Sequence, residues 1–295
     1  MTSSFQTTRH QDVEHWTLND PSTRNALSDA MVLGLFEACL RAKQDTTLRG
    51  IVLTGAGGAF SAGGSLGGFA SAIGQALLPG DDDPLIALNR GFGDVLHALT
   101  ELPQWLVIAV DGPAMGGGFG LVCCADLVIA TERSVFATPE VMLGLPPAQI
   151  APFVWQRLGD AVARQCLLSG ERWSAAQAQA AGLVNTVVAD DALDAAVADA
   201  VRALRAAAPG AVATTKQLLH RLRAKAPDLR TEAAIAFAAA LRGPEAAAGL
   251  SAFAKKQPAP WVDGPPRSTA ARVAAPQGGG SGLGRPGAGS KDGTA

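Results

Sequence analysis

The stretch Leu106-Val107-Ile108-Ala109-Val110-Asp111-Gly112-Pro113-Ala114-Met115-Gly116-Gly117-Gly118-Phe119-Gly120-Leu121 constrains this chain more than any other. Its apolar, β-branched start predicts a buried strand. A Gly-Pro turn and three consecutive glycines follow, then a small, apolar run with the density of a buried helix. Glycine at a strand-to-helix junction permits backbone angles that a Cβ forbids and lets another molecule approach the main chain. The first N–H groups of a helix have no partner within it and sit at the positive end of its dipole. Such a junction holds negative charge, on a phosphate or on the oxygen of a polarised carbonyl.

A second junction has the same build. Residues 48–54 are an apolar, β-branched strand that runs into Gly55-Ala56-Gly57-Gly58-Ala59-Phe60-Ser61-Ala62-Gly63-Gly64-Ser65-Leu66-Gly67-Gly68. One such junction is as readily a close turn. Two, each leaving a buried strand, point to a shared binding site. Around them the pattern alternates strands (13–18, 127–130) with helices. Ser28 caps a helix carrying Met31, Leu35, Phe36 and Leu40 at helical spacing, and residues 85–102 form another. This alternation argues for an α/β fold. Residues 67–84 read as a loop, either a cover over the site or solvated surface.

From Val162 onward the pattern is helical. An alanine-rich helix stops at Gly182, a short strand spans 183–188, and helices over 190–242 break at Pro209 and Pro227. A last helix runs from about Pro244 to Lys256, and the Gly/Pro-rich residues 263–295 read as a disordered tail.

Composition excludes several classes. The chain has 295 residues, 48% of them hydrophobic, enough for one large core or two small ones. A net charge of −2 without a basic cluster argues against a nucleic-acid partner. No apolar run has the length of a membrane span, and the polar first residues lack a signal peptide's hydrophobic core. Cys39, Cys123, Cys124 and Cys166 show no disulfide or metal-ligand spacing. They are expected to be reduced, buried residues in a cytoplasmic protein, and neither a metal nor a separate cofactor is expected.

Glu140, in Phe136-Ala137-Thr138-Pro139-Glu140, stands alone among apolar and small residues. A carboxylate so placed has its charged form disfavoured and its pKa raised, which suits proton transfer near neutrality. The competing reading is an exposed helix-start glutamate stabilised by the dipole.

Together these segments resemble the enoyl-CoA hydratase/isomerase (crotonase) superfamily. Ala59-Phe60-Ser61-Ala62-Gly63-Gly64 and Gly112-Pro113-Ala114-Met115-Gly116-Gly117-Gly118 resemble its two oxyanion-hole segments, and residues 136–140 its catalytic-glutamate segment. Leu168-Ser169-Gly170-Glu171-Arg172-Trp173-Ser174-Ala175 through Gly182-Leu183-Val184-Asn185 resembles a later signature, so that the likeness covers roughly residues 10–262.

The resemblance implies an acyl-CoA-binding core of spiralling ββα units (1–205), a C-terminal helical region that builds a trimer or hexamer (206–262), and the tail. It implies an acyl-CoA thioester as partner, with coenzyme A part of the substrate. The N–H groups of Gly64 and Gly117 would hold the thioester oxygen as an enolate develops, with Glu140 as acid–base. Asn25, Ala26 and Leu27 would lie against coenzyme A; Ala62, Gly63, Ser65, Leu66 and Gly116 would line the site. Phe253 and Lys256 would approach the nucleotide end, although Lys256 reads equally as a solvated helix-end lysine.

Two departures matter. Typical hydratases of the family carry a second glutamate where this chain has Gly120, and an aspartate common in the first oxyanion segment is Ser65 here. One carboxylate suffices for an isomerase that shuttles a proton between carbons. A finer resemblance favours hydration: Gly116-Gly117-Gly118-Phe119-Gly120-Leu121 with Leu145-Pro146-Pro147-Ala148-Gln149-Ile150-Ala151-Pro152-Phe153-Val154 is similar to isohexenylglutaconyl-CoA hydratases of acyclic-terpenoid degradation. Gln149 would then position water or a substrate carboxylate, or is simply a turn residue. A silent acyl-CoA binder would not need Glu140. A hydrolase would need a nucleophilic carboxylate, for which Asp94 and Glu101 are the nearest in sequence. A dinucleotide-binding oxidoreductase is disfavoured, because the glycines do not follow the Gly-x-Gly-x-x-Gly spacing.

Overall fold

In the computed structural model the strands are β1 (Phe5–His10), β2 (Val13–Leu18), β3 (Gly50–Gly55), β4 (Trp105–Val110), β5 (Pro113–Met115), β6 (Leu127–Thr131), β7 (Val135–Ala137), β8 (Trp173–Ser174) and β9 (Thr186–Val188). The α-helices are α1 (Asp29–Gln44), α2 (Pro84–Thr100), α3 (Gly117–Cys123), α4 (Ala151–Ser169), α5 (Ala175–Ala180), α6 (Leu193–Arg205), α7 (Pro209–Arg223), α8 (Arg230–Arg242) and α9 (Pro244–Ala254). The structure describes residues 3–65, 73–75, 83–223 and 230–260. Leu66, most of the 67–84 stretch, Pro227 and the 263–295 tail lie outside the described residues.

Among the described residues the main sheet runs β1-β2-β3-β4-β6-β9, with β1 antiparallel to β2 and every other pair parallel. Its register aligns Trp16 with Leu53, Leu53 with Ile108 and Ile108 with Val128, four side chains with no exposed surface. Each such burial contributes roughly 1.5–3 kcal/mol. On the opposite face Val13, Val52, Val107, Ala109 and Ile129 meet Val197 of α6. Strand β1 was not expected from the pattern. It is an edge strand with Phe5 buried and its other five residues exposed, so it lacks the alternation of a half-buried strand.

The Ser28 Oγ accepts from the Met31 N–H and starts α1 as anticipated. Leu40 departs from the expected stripe at 47% exposure, while Ala38, Cys39 and Ala42 are buried. At 3.6 residues per turn Leu40 faces away from Met31, and the inward row is 31, 35, 38 and 42. Helix α4 begins well before Val162, with Pro152 in its first turn and a break at Gly159, whose φ is 74°. All four cysteines are buried thiols outside any disulfide, and burial pushes the Cys39 thiol up to about 12 and that of Cys166 to about 11.

Helix α8 runs antiparallel to α2, pinned by Arg242 on Asp83 at 2.7 Å and Arg230 on Asp94 at 2.5 Å. The start of α9 packs on Gly144, where a Cβ would lie 2.8 Å from the Ala246 nitrogen. No helix among the described residues is long and apolar enough to cross a membrane.

Candidate active site

A second, smaller sheet gathers the site. Its order is β5-β7-β8, and isolated parallel bridges extend it from Ala114 to Ser61 and from Gly64 to Leu27. Four segments far apart in sequence thus lie side by side: 25–27, 61–64, 113–116 and 135–140. The joins are main-chain hydrogen bonds. The Ser61 N–H donates to the Pro113 carbonyl at 3.0 Å and the Met115 N–H to that of Ser61 at 2.9 Å. The Leu27 N–H donates to the Gly63 carbonyl, and the Gly116 N–H to that of Ala137, both at 2.8 Å.

Glycine is required where these segments touch. Gly63 has φ 92°, and a Cβ there would lie 2.8 Å from the Met115 carbonyl oxygen and 3.5 Å from the Gly117 nitrogen. A Cβ on Gly118 would lie 2.8 Å from that of Ser61. The two junctions therefore meet backbone to backbone, which brings the N–H groups of Gly64 and Gly117 to neighbouring positions. Among the described residues neither N–H has a hydrogen-bond partner. Gly117 is the first residue of α3, where the helix leaves its N–H free. Two neighbouring free donors, one at the start of α3 and one in the first junction, are the arrangement that suits a developing oxyanion.

Glu140 enters from the short 3-10 helix Pro139–Leu143. A Cβ built on Gly116 would lie 2.8 Å from its Oε1, so the carboxylate rests against the glycine that precedes the second donor. The Glu140 Oε2 is shielded from solvent and has no hydrogen-bond partner among the described residues, although the residue as a whole is half-buried. Burial pushes its carboxyl up to about 7. The exposed, dipole-stabilised alternative for Glu140 does not fit this environment. A carboxyl that exchanges its proton near neutrality beside an oxyanion receptor suits proton transfer next to a thioester.

Other anticipated residues are placed as follows. The Asn25 side chain is buried and points into the protein: its amide donates to the Ala56 and Ala59 carbonyls at 2.8 Å, and its Oδ1 accepts from the Asp20 N–H. It shapes the first junction from behind, with its own carbonyl accepting from the Ser61 Oγ. Ala26 and Ser65 are half-buried, Ala62 and Gly64 exposed, and Leu27 buried. The Leu27 Cδ1 lies beside Gly117. Gln149 is buried, and its Nε2 donates to Asn89 Oδ1 at 2.9 Å and to the Arg230 carbonyl at 3.1 Å. Phe253, 63% exposed, and Lys256 lie at the C-terminal end of α9.

Asp94 is taken by Arg230, and Glu101 pairs with Lys43 at 2.9 Å, far along α2 from the glycines. Neither is placed as a nucleophile. Among the described residues no group of three or more His, Cys, Asp or Glu is arranged to hold a metal.

Two side chains that pack against α3 are not singled out by the sequence pattern. Phe92 lies beside Gly117, and Ile150 fills the space beside Gly120. The apolar spacing of α2 contained the signal for Phe92; nothing local marks Ile150.

The family model for enoyl-CoA hydratase/isomerase matches residues 8–264. A Thermus thermophilus protein bearing an enoyl-CoA hydratase name is 34% identical over 247 residues, 82% of this chain and 94% of that one. Among solved structures, an enoyl-CoA hydratase/isomerase from Marinobacter aquaeolei is 39% identical, covering 88% of this chain and 99% of that one with a TM-score of 0.72. Pseudomonas aeruginosa AtuE is 38% identical, covering 87% and 98%, with a TM-score of 0.70. The match of the family model to most of the chain, with relatives above 30% identity over most of both chains, places this chain in the enoyl-CoA hydratase/isomerase family.

Proposed function

We propose that this enzyme adds water to a 2-enoyl-CoA with Glu140 as its one acid–base group. The Glu140 carboxylate takes a proton from water as the water oxygen bonds to the β-carbon. The C=C electrons pass through the α-carbon to the thioester oxygen, which the N–H groups of Gly64 and Gly117 hold as an enolate. Glu140 returns the proton to the α-carbon, and the net change is one water added. The observation that carries this reading is the carboxyl, poised at about 7, against Gly116 beside two unpartnered N–H donors.

The finer substrate is a branched, isohexenylglutaconyl-type thioester. Support comes from residues 116–121 and 145–154, and from glycine at position 120. Gln149 would orient water or a substrate carboxylate from its place between Asn89 and Arg230. Phe253 and Lys256 would approach the nucleotide of coenzyme A. Met142, 55% exposed beside Gly170, and the exposed Leu168 suit a surface covered in a trimer or hexamer.

The absence of a side chain at Gly120 favours one further reading, a Δ3,Δ2-enoyl-CoA isomerase in which Glu140 moves a proton from the α- to the γ-carbon. Mass analysis of products from 2-enoyl, 3-enoyl and branched glutaconyl-type CoA thioesters separates the two. Gain of one water, lost in Glu140→Gln, is the expected result. A shifted double bond without mass change would establish the isomerase, and no turnover of any thioester would refute both.

A further inference from the structure

Between Phe60 and Ser65 every backbone N–H but one has a partner among the described residues. Those of Phe60 and Ser61 donate to the Pro113 carbonyl at 3.0 Å, that of Ala62 to the Arg24 carbonyl at 2.8 Å and that of Ser65 to the Leu27 carbonyl at 3.3 Å. Gly63 differs from these, because its N–H donates to a side chain, the Ser61 Oγ, at 3.1 Å. The one left over is Gly64, which is exposed where Ser61 and Gly63 are buried. Ser61 has no exposed surface, and its hydroxyl donates its own proton to the Asn25 carbonyl at 2.8 Å.

The direction of the Gly64 N–H follows from these bonds. A peptide group is planar and trans, so the Gly64 N–H points opposite to the Gly63 carbonyl. That carbonyl accepts from the Leu27 N–H at 2.8 Å. The preceding peptide, 62–63, is held among the described residues by the Ser61 hydroxyl alone. Between the two planes lies the Gly63 Cα, at φ 92°, where glycine turns with little resistance. Removing the hydroxyl releases the first plane, and the second, which carries the donor, can turn with it. Both holds lead to the segment 25–27, Leu27 directly and Ser61 through the Asn25 carbonyl. Ser61 also reaches the second junction, since a Cβ on Gly118 would stand 2.8 Å from its own.

We infer that Ser61 is a positioning residue for the thioester oxyanion: its buried hydroxyl sets the direction of the Gly64 N–H without touching substrate. The inference rests on the reading of that N–H as an oxyanion donor. A hydroxyl that served stability alone would leave the rate of the folded enzyme unchanged. A misplacement of about 1 Å costs about 10²-fold in rate, and complete loss of such a donor about 10²–10³. The negative charge develops only on the way to the transition state, so the loss falls on kcat and spares KM.

The test measures kcat and KM of wild type, Ser61→Ala, Gly64→Pro and the double variant on 2-enoyl- and 3-enoyl-CoA thioesters, beginning with but-2-enoyl-CoA. Ser61→Ala should lower kcat by about 10²-fold with KM little changed. In the Gly64→Pro background the same substitution should cost less than about 2-fold, because the donor it aims is already gone. Unchanged kcat in folded Ser61→Ala, or a loss of equal size in both backgrounds, overturns the inference. If Ser61→Ala fails to fold, Ser61→Cys, whose thiol donates and accepts only weakly, takes its place in the same cycle under the same criteria.

Crystal structures of the unliganded wild type and Ser61 variant read the same role without turnover. The Gly63–Gly64 peptide should rotate in the variant, lengthening the contact between the Leu27 N–H and the Gly63 carbonyl. A peptide that keeps its wild-type direction overturns the inference. If wild type turns over no thioester, the oxyanion reading fails, and the crystal comparison still decides whether Ser61 aims the N–H.

Discussion

Glu140 should weaken the folded chain, and by an amount that grows with pH. Burial raises its carboxyl from the ordinary 4.5 to about 7. Between those values the folded chain keeps a proton that the unfolded chain has lost, so stability falls as pH rises through this window. At about 1.4 kcal/mol per pH unit the full effect above pH 7 is roughly 3 kcal/mol. Burial is its structural origin: it outweighs the backbone N–H of Glu140 that favours the charged form, and among the described residues no donor reaches Oε2. Glu140→Gln keeps the shape and removes the titration. Urea unfolding of both proteins at several pH values isolates this group, because every other titration is common to the pair. The two should be about equally stable near pH 4.5. At pH 8 the variant should be the more stable by roughly 3 kcal/mol, a shift in Tm of roughly 6–12 °C for a chain of this size. The same substitution should lower kcat by about 10²–10⁴ while thioester binding persists. A stability difference that does not vary with pH, or one greatest in acid, would refute the reasoning.

Three further outcomes follow from the geometry. Among the described residues nothing lies within 4 Å of a Cβ built on Gly64, so Gly64→Ala should keep near-normal kcat. Gly64→Pro removes the N–H and should lower kcat by about 10²–10³. Asn25→Ala leaves the Asp20 N–H and the Ala56 and Ala59 carbonyls without their partner, and denaturant melts should show a loss of roughly 2–4 kcal/mol. Glu101→Gln should leave steady-state rates unchanged, because Glu101 serves Lys43 at the surface.

The groups proposed to react stand out in the sequence because their requirements are local. A glycine run after a buried strand, and a lone acid among small residues, announce themselves in sequence. Placement was harder to read. Strands β5, β7 and β8 have three, three and two residues, too short for any period to show, yet they and two single bridges assemble the site. Asn25 reads as a surface residue by type; its inward role depends on φ 56° and on carbonyls more than thirty positions away. Gln149 and Ile150 are neighbours in sequence whose side chains serve different contacts, one tying α2 to α8 and the other filling α3. No helical or strand period distinguishes them.

The backbone-to-backbone meeting of the two glycine junctions has a consequence for how such an enzyme diversifies. The distance between the donors at Gly64 and Gly117 is held by peptide groups and by the lack of Cβ atoms at Gly63 and Gly118. The neighbours of α3, by contrast, are ordinary apolar side chains: Leu27 and Phe92 beside Gly117, and Leu96 and Ile150 beside Gly120. Selection can therefore change these side chains one substitution at a time while the spacing of the two N–H groups stays intact. The spacing of the two N–H groups thus rests on positions 63 and 118, which leave no room for a side chain, and the packing around it on side chains that can be exchanged.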